Sequence, residues 1–530
     1  MNIVIIRNME SKRFFNYRPM LSICLFFIAG IICVVNFYIG KAFNIVLASL
    51  MIASFVTTFI IKLIKAKELK LFKSLSISIA FIMAVIMSVC FVEVYNNRKS
   101  YDGEYFVNAR VCERTYFSSK GKVVVTLDNV YVTNYKTLEK EELKGKVRLY
   151  LEEDDNRCFD FVVGEEISGN LELMNVKLFD EDRNNFSLFN RKVYVLGFGR
   201  EDDVYSKNKI NTTFVEKIKN KVKSSLDANL SEDYSELAYT MLFGDKAGLD
   251  GEIRINYTAG GIGHLLAISG LHIGFIVTML SFFLKKLKAN RMVTFWVIIC
   301  VVFVYALICG FTVSVTRAFI MTAVMLYAKL RFFQYDSLSS LSVAGLIILI
   351  TNPMWLFDAG FQLSFLAVLS IIVLSPIFTR FLSKYFSKKL ASSVAVCLSA
   401  QIGVVPVMMG TFSTFSVFSV VTNLICIPIA SIAYMILFVS VLLSLIIPAL
   451  GVFAYLFELL MRIVTGVSSI IGSINLINVE SWTLILFSFV LLACCIFVSD
   501  YLFLKKKSKK IAVITSLACV FVSFAMIFIV

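Results

Sequence analysis

The strongest constraint on this chain is a succession of apolar runs of about 20 residues, the length an α-helix needs to cross a bilayer. In hydrocarbon every backbone N–H and C=O must find its partner inside the segment, so runs like these fold as helices. They fall at 19–40, 43–61, 74–95, 262–284, 292–310, 313–330, 338–352, 359–378, 390–410, 416–447, 451–474, 482–503 and 511–530. The expectation is an α-helical polytopic membrane protein with about 13 transmembrane helices. The run 416–447 is long for one helix and contains Pro428, so it is read as a broken or re-entrant pair. A hydrophobic content of 58% is above that of soluble domains. The opening MNIVIIRNMESKRFFNYRPM is polar and basic, and no small-residue cleavage pattern follows the first run, which is therefore read as a retained helix.

The net charge of +15 raises the question of nucleic-acid binding, and its location answers against a simple footprint. The one long polar stretch is nearly neutral, with 19 Lys and Arg against 21 Asp and Glu between residues 96 and 211. The excess sits in short loops such as KLIKAKELKLFK, KKLKANR, TRFLSKYFSKK and KKKSKK. Loops of that kind face the cytoplasm. The expected topology is a multi-pass protein of the cell membrane with a cytoplasmic N-terminus and an extracytoplasmic polar region.

Within 96–212 the segments VVVTLDNVYVTNY, KVRLYLEE and ISGNLELMNV alternate apolar and polar residues between Gly, Asp and Asn. That is strand periodicity, and several short strands in a small region suggest an inserted OB-like β-barrel. Such barrels engage single strands through aromatic and basic side chains. Phe117, Lys120, Lys122, Tyr131, Tyr135, Lys144, Lys146 and Arg148 could serve, although ordinary strand aromatics and solvated charges account for them equally simply and suit the neutral balance better. Ten of the 12 cysteines lie in apolar runs, while Cys112 and Cys158 lie in the polar region and form a candidate disulfide if it is outside the membrane. Residues 213–243 carry Leu226, Leu230, Leu237 and Met241 at helical spacing, as amphipathic surface helices would. The resulting division is 1–95 N-terminal transmembrane helices, 96–212 β-domain, 213–243 amphipathic helices, 244–480 transmembrane channel domain and 481–530 C-terminal helices.

The stretch LFGDKAGLDGEIRINYTAGGIGHLLAISGLHIGF, 242 onward, holds the two histidines of the chain, His264 and His272. Polar groups at membrane depth are costly and mark functional positions by default. On one helix the two histidines would share a broad face, yet without a third ligand they make a weak zinc site. Ser269 and His272 have the spacing of a Ser–His pair, but the nucleophile elbow of hydrolases is absent. A gate or pore lining and simple helix packing remain as readings. Further polar candidates are Arg317, Asp358, Gln362, Gln401 and Asn423. Glu458 and Arg462, four apart, are read as a structural pair. The sequence carries no phosphate-binding loop and no His-rich metal cluster, so no cofactor, metal or catalytic residue is assigned.

The order of FGDKAGLD, GIGHLLAISGLHIG, TRAFIM, NPMWLFDAGFQLSFLAVLSI, SAQIGVVPVMMG and TNLICIPIAS resembles that of the ComEC-type competence proteins. The likeness runs from about residue 20 to 500, with its most specific part at HLLAISGLH. It implies an inner-membrane channel that imports single-stranded DNA during natural transformation, with an OB-like outer domain that engages DNA. Implied partners are a membrane-anchored DNA receptor and a cytosolic ATP-driven translocase, with a homo-oligomer as a further expectation. Longer members end in a metallo-β-lactamase-like domain, which this chain stops short of, so a non-enzyme is expected. Under this resemblance His264, Ser269, His272, Arg317, Asp358, Gln362, Gln401 and Asn423 line or gate the path. A transporter of another anionic solute or polymer precursor, and an intramembrane hydrolase, are the rival readings.

Overall fold

The structure, a computed structural model, describes residues 18–38, 68–117, 122–134, 139–152, 161–179, 185–412, 414–416, 418–473 and 476–478. The expected spans at 43–61, 482–503 and 511–530 lie outside the described residues, as do Lys120, Tyr135 and Cys158. In chain order the elements are α1 (Pro19–Tyr38), α2 (Glu68–Asn96), β1 (Gly103–Val111), β2 (Tyr116–Phe117), β3 (Val123–Asn134), β4 (Lys140–Leu143), β5 (Lys146–Glu152), β6 (Glu165–Asn175), α3 (Phe186–Asn190), β7 (Val193–Arg200) and β8 (Val204–Ile210). There follow α4 (Phe214–Asp227), α5 (Glu232–Phe243), α6 (Gly251–Ala259), a 3-10 turn (Gly263–Leu266), α7 (Gly270–Lys286), α8 (Arg291–Ile308), α9 (Val313–Leu330) and α10 (Ser337–Thr351). After a second 3-10 turn (Pro353–Phe357) come α11 (Ala359–Leu382), α12 (Lys388–Phe412), β9 (Thr414–Ser416), α13 (Ser419–Ser444), a third 3-10 turn (Pro448–Phe453), α14 (Ala454–Gly472) and β10 (Leu476–Asn478).

The chain divides into two compact units. One contains 1–86, 251–436 and 456–530, the other 87–250 and 437–455. Among the described residues seven helical stretches are long and apolar enough to cross a membrane: 76–96, 291–308, 313–330, 359–382, 388–412, 419–444 and 451–472. Shorter apolar helices occupy 19–35 and 337–351. The protein is thus a helical membrane protein, and the described residues supply fewer spans than the 13 expected.

In the second unit the period-2 alternation becomes a closed five-stranded barrel. β1 pairs antiparallel with β3 and β6, β3 with β5, and β6 with β7, and the parallel pair β5–β7 completes the ring. Along KVRLYLE the inward residues Val147, Leu149 and Leu151 are fully buried while their neighbours are not. Arg110 on β1 bonds Asp128 on β3 at 2.6 Å and Glu216 on α4 at 3.0 Å. Glu216 also closes a capping box, accepting the Thr213 N–H at 2.7 Å while Thr213 Oγ1 accepts the Glu216 N–H at 3.3 Å. The barrel is therefore tied to the start of α4 by one arginine.

In the first unit small residues set the helix spacing. Ala391, Ala395, Ser399 and Gly403 form a buried stripe four residues apart on α12. A Cβ at Gly403 would stand 2.7 Å from the carbonyl oxygen of Leu366 and collide with Ser370, both on α11. Only a glycine permits that approach. Arg18 grips Asp336 with two bonds, Nε to Oδ2 at 2.9 Å and Nη2 to Oδ1 at 3.0 Å, while Asp336 caps α10 by accepting the Ser339 N–H at 2.9 Å. The first residues of α1 and α10 therefore lie at the same end of the helix bundle.

Two expectations are corrected here. The run 262–284 does not form one helix: a 3-10 turn and extended residues occupy its start, and α7 begins only at Gly270. The expected break at Pro428 is absent, since α13 is one helix from Ser419 to Ser444. A proline costs a membrane helix one hydrogen bond, which packed neighbours tolerate, whereas the Gly–Ser-rich start of α7 offers no continuous helical turn.

Candidate functional site

The site is built where the chain turns into α7. Gly260 and Gly261 end α6 by lying against other elements. A Cβ at Gly260 would collide with the Ser468 side chain on α14, and one at Gly261 with Ser419 on α13. Gly261 also has φ of +78°, a conformation that strains any residue with a side chain. These close approaches hold the segment 262–269 between α13 and α14, inside the first unit.

Ser269 is the N-cap of α7. Its Oγ accepts the Leu271 N–H at 3.2 Å, and its own N–H donates to Nδ1 of His272 at 3.1 Å. This is a capping box with histidine in the place of the usual glutamate. Because Nδ1 accepts, the hydrogen of a neutral imidazole sits on Nε2. His272 is fully buried, and its Nε2 has no hydrogen-bond partner among the described residues. The ring lies 4.5 Å from that of Tyr434 on α13, whose hydroxyl is 3.0 Å from that of Tyr305 on α8. Three helices, α7, α8 and α13, thus meet at one aromatic cluster.

Arg317 on α9 reaches the same helix start. It is 6% exposed, and Nη1 donates to the backbone oxygen of Ser364 at 2.5 Å. A Cβ at Gly270, the first residue of α7, would lie 2.7 Å from Nη2. Nε of Arg317 and Oγ of Ser364 have no partner among the described residues. On α13, Ser419 Oγ and Asn423 Oδ1, one turn apart, are likewise buried and unpartnered.

The structure therefore brings together Ser269, His272 and Arg317 at the start of α7. It does not put His264 with them on one helix: His264 is exposed in the preceding 3-10 turn. Asp358 and Gln362 serve their own segment. Asp358 caps α11 by accepting the Gly360 and Phe361 N–H groups at 2.8 and 3.2 Å, and Gln362 Nε2 donates to the Leu356 oxygen at 3.0 Å. Gln401 is half-buried on α12. Tyr305, Tyr434, Ser364 and Ser419 join the site without having been singled out. A lone tyrosine inside an apolar run, as in IASIAYMILF, is the signal that marks Tyr434.

The basic residues of the barrel are largely committed to internal pairs. Lys122 bonds Glu152 and Lys146 bonds Glu113, each at 2.8 Å, and Nε of Arg148 is buried. Lys144 is exposed. Burial pushes the Cys112 thiol up to about 12, against the pull of neighbouring Lys146, so it is a poor thiolate. The pairing of Cys112 with Cys158 lies outside the described residues. Among the described residues no group of three or more His, Cys, Asp or Glu could hold a metal ion. Ser269 Oγ is 3.2 Å from His272 Nδ1, but the unpartnered Nε2 has no carboxylate to orient it, unlike the base of a hydrolytic triad.

Helical spans with an inserted β-barrel, and buried unpaired polar groups between the helices, define a class of polytopic membrane proteins with a polar interior. Comparison with known proteins narrows this class. The sequence model of the competence protein family matches residues 241–501. ComE operon protein 3 of Bacillus subtilis is 31% identical over 199 residues, covering 38% of this chain and 25% of that protein. An uncharacterized protein of Aquifex aeolicus is 27% identical over 224 residues, covering 42% of this chain and 50% of the relative. The uncharacterized protein MG316 of Mycoplasma genitalium is 29% identical over 191 residues, covering 36% and 46%. The chain thus spans a quarter to half of the length of these curated relatives, and no solved structure matches it. Residues 241–501 thus carry the sequence pattern of the competence protein family, and the chain is similar there to a ComE operon protein.

Proposed function

We propose that this protein forms the membrane conduit through which a single strand of DNA is imported during natural transformation. The observation that carries the reading is the start of α7 in a family-matched region. There Gly270, His272 and Arg317 converge among apolar helices, with His272 Nε2 and Arg317 Nε left without partners among the described residues. A membrane protein keeps unpaired polar groups at such depth when they serve a polar passenger. A strand carrying one charge per nucleotide requires cationic and stacking groups along its path. Arg317, Ser419 and Asn423 supply the polar part of such a path, and Tyr434 and Phe365 the aromatic part.

In this reading the β-barrel is extracytoplasmic and OB-like, the N-terminus is cytoplasmic, and about 13 helices cross the membrane in all. A membrane-anchored receptor delivers the strand, and a cytosolic ATP-driven translocase pulls it, since the chain has no phosphate-binding loop of its own. The chain acts as a conduit rather than an enzyme, alone or as a homo-oligomer.

A second reading, transport of another anionic solute, is favoured by one observation. Lys122 and Lys146, two of the barrel's candidate DNA contacts, are neutralised by Glu152 and Glu113. The deciding measurement uses purified protein in proteoliposomes with an imposed membrane potential. Protected labelled single-stranded DNA should accumulate inside, and double-stranded DNA should not. Accumulation no greater than in protein-free liposomes would overturn the DNA reading.

A further inference from the structure

We propose that Arg317 and the first turn of α7 form a binding subsite for a single phosphodiester oxyanion. This inference rests on the conduit reading for the identity of its ligand, but not for the existence of the site.

Arg317 is a cation placed where a cation is unfavourable. It is nine-tenths buried on a membrane-spanning helix, and it forms no ion pair with any described carboxylate. Burying an unpaired charge is expensive, and natural proteins retain one where a ligand compensates it. Its neighbour makes the imbalance larger. The start of a helix carries partial positive charge from unpaired N–H groups, which acidic residues in the first turn usually offset. α7 has no acidic residue in its first turn, whereas its far end is complemented by Lys285 and Lys286. Gly270 has no Cβ, and the guanidinium occupies the space that freedom leaves, with Nη2 2.7 Å from where the Cβ would be. Two positive groups are therefore in contact, with nothing negative described beside them.

The donors point to the ligand class. One guanidinium N–H is used on the Ser364 oxygen, and Nε–H has no partner among the described residues. Ser269 Oγ already takes the Leu271 N–H of the adjacent turn, so the guanidinium is the principal donor, and its planar shape matches phosphate oxygens in geometry as well as charge. One arginine plus about half a charge from the helix end is enough to offset the single charge of a diester, and the conduit reading selects the diester. Phe365, whose ring centre is 5.9 Å from the guanidinium carbon, gives the site an apolar wall of the kind that flanks a base or an acyl chain.

Two sources carry a phosphodiester, a nucleic-acid strand and a lipid headgroup, and the experiment separates them. The full chain is placed in nanodiscs of phosphatidylcholine, and binding of a fluorescent oligothymidylate is measured with dimethyl phosphate as competitor. Wild-type protein should bind the oligonucleotide, and dimethyl phosphate should displace it. Arg317→Gln should weaken binding by about tenfold or more, the size expected for losing a charged hydrogen bond. Arg317→Lys should lose less, and Gly270→Ala, which keeps the arginine but fills its space, should also weaken binding. Unaltered oligonucleotide affinity in both Arg317→Gln and Gly270→Ala would overturn the site. Discs containing phosphatidylglycerol supply the lipid arm: Arg317-dependent binding of that lipid, without oligonucleotide binding, would keep the anion site and remove the strand as its ligand. DNA flux that is indifferent to Arg317 would overturn the subsite and leave the conduit standing. Arg317-dependent binding without flux would do the reverse.

Discussion

Arg114, in the turn after β1, holds both carboxylate oxygens of Glu236 on α5, at 2.8 and 2.9 Å. Lys223 on α4 adds a third contact to the same carboxylate at 3.0 Å. Glu236 lies about two helix turns before the FGDKAGLD segment, and Gly248 of that segment packs directly on this pair. A turn of the barrel is thus clamped to the helices that lead into the family-matched region.

This clamp predicts opposite pH behaviour for two nearby carboxyls. Burial opposes ionisation of Glu236, and the bonds from Arg114 and Lys223 outweigh it, holding its carboxyl below the usual range. Its stabilising contribution is therefore complete above about pH 4.3 and lost as pH falls through the lower folded value. Glu236→Ala takes from Arg114 both of its carboxylate bonds, while Lys223 keeps Asp227 and Ser235, and should cost about 2 kcal/mol at neutral pH, after allowance for partial exposure. Asp245 behaves the other way. Burial raises its carboxyl above the usual range despite the Ala247 N–H it accepts and the nearby Arg114. Its charge destabilises the fold at neutral pH, and that penalty disappears as pH falls through the raised value. Asp245→Asn should raise the thermal midpoint at pH 7 and match wild type below about pH 4. An equal or lower midpoint at pH 7 would refute this account of Asp245.

The contact of Gly403 with α11 predicts a sharp dependence on side-chain size. Gly403→Val must displace the Leu366 backbone or the Ser370 side chain and should cost about 1–3 kcal/mol, the usual range for overpacking. Gly410, two turns on in α12, has nothing within 4 Å of its Cβ position among the described residues, so Gly410→Ala should not lower the midpoint. Thermal unfolding of both variants in detergent, followed by circular dichroism, checks the contrast.

His272 is expected to act in stability through its Nδ1. His272→Ala removes the acceptor for the Ser269 N–H and empties a packed site against Tyr434, at a cost of about 2–4 kcal/mol. His272→Gln restores an acceptor at the third helical position, as capping boxes commonly do, and should recover about 1 kcal/mol of that loss. Equal midpoints for the two variants would remove the capping role.

How far these relations were legible in the sequence depends on their range. The alternation in KVRLYLE and VVVTLDNVYV is local, and both segments become barrel strands; in KVRLYLE alternate residues are buried, whereas the first five residues of β3 are all buried. The pair Glu458–Arg462 is also local, one helix turn apart, and forms at 2.5 Å. The Gly–His–Ser segment marked the site by its composition alone, because lipid contact requires none of those residues. Its geometry was hidden: a histidine three residues after a serine reads as a catalytic pair or a gate, and only the cap geometry shows that Nδ1 is already used. Arg317 and Gly270, 47 residues apart, meet through packing that no local pattern encodes. Lys122 and Lys146 looked available because their partners, Glu152 on β5 and Glu113 in the turn after β1, are about 30 residues away in the sequence.

The pairing of Arg18 with Asp336 makes a claim about topology that holds whichever face of the membrane is cytoplasmic. Each residue immediately precedes a helix, α1 and α10, and a two-bond ion pair cannot form across a bilayer. Both helices must therefore start from the same side. The pair is half-exposed, so its coupling energy should be modest, about 1 kcal/mol in a double-mutant cycle of Arg18→Ala and Asp336→Ala. Asp336→Ala should cost more than Arg18→Ala, because it also deprives the Ser339 N–H of its acceptor, a loss of about 1 kcal/mol for a helix cap. Topology is tested separately in a cysteine-free background carrying Arg18→Cys and Asp336→Cys, singly and together. A membrane-impermeant maleimide should label both single variants from the same face, and a short bifunctional maleimide should join the two sites in the double variant. Labelling from opposite faces would mean that α1 and α10 do not share the end of the bundle that their ion pair defines.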